Sequence, residues 1–194
     1  MKSLQKVVVF ATMLVLTVVL IRVMFAEGRE SEDEATVRRG LAIAPVRLDL
    51  RGKNRDLVGI GSYLVNAVSE CNDCHTRPHF VTGGDPFILG QVEVDTSTQH
   101  LTGGNQFGPF TSANLTPDAM GRPAGMTFNQ FLHTIRTGET DDHPMFGPLL
   151  QVMPWPTFRK MTDHDLRAIY EYLRAIPSRP DNPNPGECCP DTLP

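Results

Sequence analysis

Apolar residues recur at helical spacing in three stretches of this chain. Leu57, Ile60, Gly61, Leu64 and Val68 fall at i, i+3, i+4, i+7 and i+11, which draws one face of a helix over about 57–70. The pattern predicts a second helix after Thr127, with Gln130 at the capping-box position. Phe128, Phe131, Leu132 and Ile135 form its apolar face, and Gly138 ends it. A third helix is expected after Thr162, with Asp165 in the same capping role. Leu166, Ile169, Tyr170, Leu173 and Ile176 make its stripe, and Pro177 stops it. Between the first two helices, glycine interrupts residues 76–126 repeatedly, and only FILGQVEV (87–94) alternates like a short strand. The fold class is therefore mainly α. So long a loop region needs something besides its own side chains to wrap, and a large buried cofactor would serve.

Both ends read differently. Lys2 and Lys6 precede VVVFATMLVLTVVLI, fifteen residues without a charge, which resumes after Arg22 as VMFA. This is an export leader, residues 1–26, and it suits either cleavage or retention. Ala26 fits the position before a cut, whereas Met24 is bulky for its place. With Arg22 snorkelling, residues 7–26 reach the roughly 20 residues needed to cross a bilayer. Either way, residues 27–194 are expected outside the cytoplasm, on the periplasmic side of the inner membrane. Residues 27–54 are charge-rich and read as a linker or loosely packed arm. Residues 55–177 form the single domain. Residues 178–194 read as an extended Pro-rich tail carrying Cys188 and Cys189.

Composition narrows the function. There are 18 basic and 22 acidic residues, which speaks against a nucleic-acid surface. Lys2, Lys6 and Arg22 belong to the leader, so the exported part is more acidic still and calls for basic partners.

The chemistry is concentrated in Cys71-Asn72-Asp73-Cys74-His75, a C-x-x-C-H sequence. Two thiols one helical turn apart can add to the two vinyl groups of a haem, and the adjacent histidine then lies beneath the iron. A thioredoxin-like pair would need a βαβ setting. A zinc site would need two more ligands at short spacing, and Cys188 and Cys189 lie over a hundred residues away. A structural disulfide would not need His75. The expectation is one haem c per chain, covalently attached through Cys71 and Cys74, with His75 as proximal iron ligand.

The sixth ligand must come from elsewhere. Met153 sits in QVMPWPTF, where proline on its C-terminal side holds an extended loop able to present a thioether. Met145 is the second choice, and Met161 reads as a packing residue beside the third helix's cap. His79, His100 and His143 lie in loops and would serve a bis-histidine variant, while His133 and His164 read as solvated.

Taken together, SYLVNAVSECNDCHT, the SANLTPD loop, GMTFNQFLHTIRTG and LLQVMPWPTFRKMTDHDLRAIYEYLRAIP resemble bacterial periplasmic single-haem cytochrome c domains. They look most like those associated with alcohol, aldehyde and gluconate dehydrogenases. The resemblance covers about 57–177. It implies the cytochrome c fold, helices and long loops around one haem, with the first and third helices crossing near the haem edge. Tyr63 and Tyr170 are candidates for that crossing. It implies Met153, the methionine of the MPW loop, as distal ligand. It also implies an electron carrier without catalytic residues, whose partners are redox proteins: a dehydrogenase, an oxidase or another cytochrome. This chain carries one C-x-x-C-H where the dehydrogenase subunits usually carry several. Two further readings stand beside the carrier: a cytochrome subunit of a periplasmic dehydrogenase complex, and a haem sensor with an open iron.

Overall fold

The computed structural model describes residues 31–140 and 147–188, together with Met13, Leu16 and Thr17. The rest of the leader, His143, Met145 and Cys189 lie outside the described residues. The chain divides into two compact units, Met1–Ala35 and Thr36–Pro194, and the candidate site belongs to the second. Among the described residues, no helix is long and apolar enough to cross a membrane.

Helix α1 (Glu32–Ile43) opens with Glu32, Asp33 and Glu34, acids placed where the helix dipole favours them. Asn54 caps α2 (Arg55–Tyr63), its side chain accepting from the Asp56 and Leu57 amides at 2.9 and 3.2 Å. A π-helical turn, Leu64–Val68, continues α2 and leads to the short α3 (Cys71–His75). The loop region that follows contains β1 (Asn105–Phe107) and β2 (Phe110–Thr111). Then come α4 (Phe128–Thr137), α5 (Trp155–Phe158), α6 (Asp163–Ala175) and β3 (Gly186–Glu187). The sheet order is β2-β1-β3, with β1 antiparallel to β2 and parallel to β3. In register, Gln106 faces Thr111 on one side and Glu187 on the other.

The capping boxes expected at Thr127 and Thr162 are both formed, and Gly138 closes α4 in the left-handed region with φ 77°. The second and third helices therefore start and stop close to where the sequence places them, whereas the first gives way to a π turn after Tyr63. Which faces they bury is another matter. On α2 the buried positions are Val58, Gly59, Gly61 and Ser62, followed by Val65 in the π turn, whereas Val68 is 51% exposed. The reason is that α2 is covered from two sides. A Cβ on Gly59 would lie 2.7 Å from Val37 of α1, and one on Gly61 would strike the Ala168 carbonyl of α6. Tyr172, fully buried, packs at that second contact.

Tyr172 thus takes the place expected for Tyr63 or Tyr170. Tyr170 turns to α4 instead, its hydroxyl donating to the Met126 carbonyl at 2.9 Å and its ring meeting Phe128 and Phe131.

Three loop expectations are corrected. Residues 36–50 are no loose arm: Val37 and Gly40 are buried, and Leu41, Ala44, Val46, Leu48 and Leu50 pack on the core. They run from the second half of α1 into an irregular segment at 44–50, and the loss of period after Ile43 keeps helical periodicity from registering them. FILGQVEV forms no strand and is largely exposed, because turns at Asp85–Ile88 and Ile88–Gln91 fold it on itself. The start of the tail is pinned, with Asn182 buried and β3 paired to β1.

Candidate functional site

The site is built on α3. Its N-cap, Glu70, adopts a left-handed conformation (φ 51°, ψ 33°), which breaks the helical path of α2 and restarts it as the turn that carries Cys71, Cys74 and His75. Asn105, 5% exposed, closes the other end: its side-chain amide donates toward the carbonyls of Asp73, Cys74 and Thr76 at 3.1, 3.0 and 3.1 Å. The Gly103 amide donates to the His75 carbonyl at 2.8 Å, and the Leu101 amide to the Thr76 hydroxyl at 2.9 Å. Within α3, the Asn72 amide donates to Asn66 Oδ1 at 3.0 Å. Asn66 in turn donates to the Tyr172 hydroxyl at 3.1 Å, and that hydroxyl lies 2.8 Å from His100 Nε2. A buried polar chain therefore ties the motif to the α2–α6 crossing.

His75 carries the most informative contact. Its Nδ1 lies 2.7 Å from the Ala113 carbonyl. A carbonyl only accepts, so Nδ1 holds the proton and Nε2 presents its lone pair. Burial pushes the His75 pKa down, which keeps the ring neutral, although the Ala113 contact acts in the opposite direction. A neutral imidazole donating one N–H to a backbone carbonyl is the arrangement used by metal-ligating histidines.

Beside these residues lies a cavity of about 390 Å³. It is lined by Cys71, Cys74, His75 and Met153 and walled mostly by apolar side chains, among them Val65 and Leu173. The size falls within the roughly 300–1,000 Å³ of small-molecule and cofactor sites. Burial, with smaller contributions from Cys74 and Asp73, pushes the Cys71 thiol up to about 12. Such a thiol stays protonated at neutral pH, the reverse of the lowered pKa that a thioredoxin-type pair relies on. Among the described residues, no three His, Cys, Asp or Glu side chains converge as a metal site.

The Met153 loop is held from several directions. The Trp155 amide donates to the Met153 carbonyl at 2.8 Å, and the Trp155 indole donates to the Leu150 carbonyl at 3.2 Å. The Leu150 amide bonds the Gly138 carbonyl at 2.8 Å. A Cβ on Gly138 would run into the indole, so the glycine that ends α4 also seats Trp155. Arg136 of α4 donates to the carbonyls of Arg159 and Met161. Met126 and Met161 also line the cavity, so Met161 is more than a packing residue beside a cap.

The other described histidines are engaged elsewhere. His79 sits 3.0 Å from Asp73 and 3.4 Å from Asp95, and His100 is buried against Tyr172. His133 pairs with Glu139 at 2.7 Å on the surface, and His164 lies 3.8 Å from Asp165. Among the described residues, His75 is the histidine that lines the cavity.

No protein-family model and no solved structure matches this chain. Among curated proteins it is similar to the cytochrome c subunit of alcohol dehydrogenase (quinone) from Gluconobacter oxydans (strain 621H), 28% identical over 138 residues. It is also similar to the gluconate 2-dehydrogenase cytochrome c subunit of Pantoea cypripedii, 29% identical over 120 residues. A third relative is the fructose dehydrogenase cytochrome subunit of Gluconobacter japonicus, 27% identical over 133 residues. The chain is a homologue of dehydrogenase cytochrome c subunits. The matched regions cover 67%, 62% and 68% of this chain. They cover 26%, 23% and 24% of the relatives, so the chain spans about a quarter of the curated proteins it matches.

The relatives' names imply haem c, and the residues present fit that group. An apolar cavity meets the Cys71 and Cys74 side chains and an imidazole with its Nε2 lone pair available. Ser69 Oγ, on the cavity wall, is buried without a hydrogen-bond partner, so the wall also offers a polar contact that the protein leaves unused. Sequence reasoning missed Asn105, Ala113, Gly138 and Trp155. Gly138 had a signal as a helix stop and Trp155 as part of the Pro-Trp-Pro segment. Asn105 and the Ala113 carbonyl have none, because both act across more than 25 residues.

Proposed function

We propose that this chain is an electron-transfer cytochrome c subunit that serves a dehydrogenase outside the cytoplasm and carries one covalently bound haem. The observation that carries the reading is the His75 contact to the Ala113 carbonyl beside the Cys71–Cys74 turn, because it sets the tautomer that an iron ligand requires. Cys71 and Cys74 would hold the haem by thioether bonds, and His75 and Met153 would ligate its iron. Residues 55–177 form the cytochrome domain, with 36–54 and 178–188 as its outer layer. Residues 1–26 direct export, cleaved or retained as an anchor at 7–26.

When bound, the haem supplies reversible one-electron transfer. The protein's share is to position and to exclude. α3 fixes the thiols one turn apart, and the Ala113 carbonyl keeps the proton on Nδ1. The apolar wall keeps water from the centre. With His75 and Met153 both engaged, no coordination position remains for a substrate, which is why a carrier and not a catalyst is proposed. The dehydrogenase names of the relatives favour a subunit over a freely diffusing carrier.

The test is direct. The denatured full chain should keep haem-stained peroxidase activity on a gel, and Cys71→Ser/Cys74→Ser should abolish it. Met153→Ala should retain the haem but lose the near-infrared sulfur-to-iron band and lower the potential. Haem extracted from the unmutated protein by acidified butanone overturns covalent attachment. A Met153→Ala protein with an unchanged band moves the ligand to another methionine.

A further inference from the structure

We propose that the loop tip carrying Phe87, Leu89 and Val92 is the docking surface for the protein redox partner, which meets it with an apolar cleft rimmed by basic side chains. This rests on the proposed electron-transfer function and adds the chemistry of the contact.

The tip is apolar and open. Phe87 is 84% exposed, Val92 78%, and Leu89 is fully exposed, with Ile88 and Val94 about half so. Exposed apolar side chains are common singly, whereas five within eight residues form a patch that a monomer gains nothing by showing to water. Nor is the tip a slack loop. The Val81 amide bonds the Val94 carbonyl at 3.0 Å, and the Val94 amide bonds the Gly84 carbonyl at 2.9 Å. The Gln91 side chain accepts from the Asp85 amide, and the Asp85 side chain accepts from the Phe87 amide, each at 2.9 Å. A braced base holding out an apolar tip reduces the ordering cost of binding.

The foot of the loop is tied to the C-x-x-C-H turn. His79, at the foot of the loop, lies 3.0 Å from Asp73 of the C-x-x-C-H turn and 3.4 Å from Asp95, where the chain returns. The Thr96 amide closes the foot on the His79 carbonyl at 2.8 Å. The loop is therefore anchored on the helix that holds the proposed haem.

Charge selects the occupant. Residues 78–121 contain Asp85, Glu93, Asp95 and Asp118 and no lysine or arginine. Asp118 is neutralised by Arg122 and Asp95 faces His79, which leaves Asp85 and exposed Glu93 beside the tip. An anionic lipid surface attracts basic flanks and is disfavoured by this rim. A second copy would set Glu93 against an equally acidic rim. A protein with basic residues around an apolar cleft satisfies both features. Association should then slow as salt rises, while the formed complex persists in about 1 M NaCl, where the Debye length is roughly 3 Å.

The experiment uses the full chain in the organism that encodes it, with the photo-crosslinker benzoylphenylalanine in place of Leu89. The expected adduct is a peptide of a dehydrogenase polypeptide whose substrate reduces the haem of the co-purified complex. In parallel, Phe87→Ser/Leu89→Ser/Val92→Ser should lower that substrate-driven reduction roughly tenfold or more, the loss that follows removal of an aromatic anchor. Its dithionite-reduced spectrum should be unchanged. An adduct to a second copy, to this chain's own residues or to lipid overturns the proposal, as does no adduct or reduction of the triple variant at the unmutated rate. A chain that stains for no haem before irradiation overturns the electron-transfer function instead, so the two failures are distinguishable.

Discussion

Asn105 offers the sharpest test of how the fold holds the C-x-x-C-H turn. Its side-chain amide faces three carbonyls, those of Asp73, Cys74 and Thr76, at 3.0–3.1 Å. An amide has two N–H groups, so at most two of these contacts are full hydrogen bonds at once. At about 1 kcal/mol net per bond, Asn105→Ala should cost roughly 2 kcal/mol. In a chain of this length, that lowers the melting temperature by about 4–8 °C. Asn105→Asp keeps the shape and reverses the chemistry, since an ionised carboxylate offers only acceptors to three acceptors. Arg77 Nη1, 3.5 Å from Asn105 Oδ1, returns little, because a partly exposed pair contributes only about 0–1 kcal/mol. The buried charge should therefore make Asn105→Asp worse than Asn105→Ala by about 1–3 kcal/mol. Falling pH protonates the introduced carboxyl, which then donates one bond, so the Asp variant recovers toward the parent while the Ala variant does not. Thermal unfolding of the three haem-loaded proteins across a pH series checks this. An Asp variant as stable as the Ala variant at neutral pH would refute the reasoning.

Gly138→Ala should destabilise by about 1–2 kcal/mol from the left-handed backbone alone, with more from the indole it meets. Because Trp155 braces the Met153 loop, the near-infrared band should weaken as well, and a destabilised protein with an intact band would separate the two roles. Burial depresses the pKa of His100 to about 4 from an ordinary 6.5. The unfolded chain therefore takes up its proton first as pH falls, and stability present above about 6.5 is lost between there and about 4, by roughly 3 kcal/mol. His100→Gln keeps an acceptor for the Tyr172 hydroxyl and should flatten that limb in denaturant titrations, and an unchanged slope would count against it. Gly61→Ala should cost about 1–3 kcal/mol through overpacking against Ala168 and Tyr172, measured by chemical denaturation.

What the sequence by itself determined is local. The boxes at Thr127 and Thr162 and the stop at Gly138 need only residues three or four apart, and all three formed. The two thiols and His75 share one turn because their spacing allows nothing else once that turn is helical. Met153 lines the cavity. Tertiary structure decided the rest, wherever a partner lies far along the chain or a face is covered from more than one side. A single apolar stripe assumes one wet face. α6 is buried nearly all round, Ala168, Glu171, Tyr172 and Ala175 included, so the stripe pointed to Tyr170 while Tyr172 took the crossing. Residues 36–50 looked like linker because the helical period of α1 gives way to an irregular segment at 44–50, yet they cover the core. FILGQVEV alternated like a strand, but turns at Asp85–Ile88 and Ile88–Gln91 fold it before a ladder can form. The proton on His75 depends on Ala113, 38 residues away, through a carbonyl that every residue carries and no sequence pattern marks.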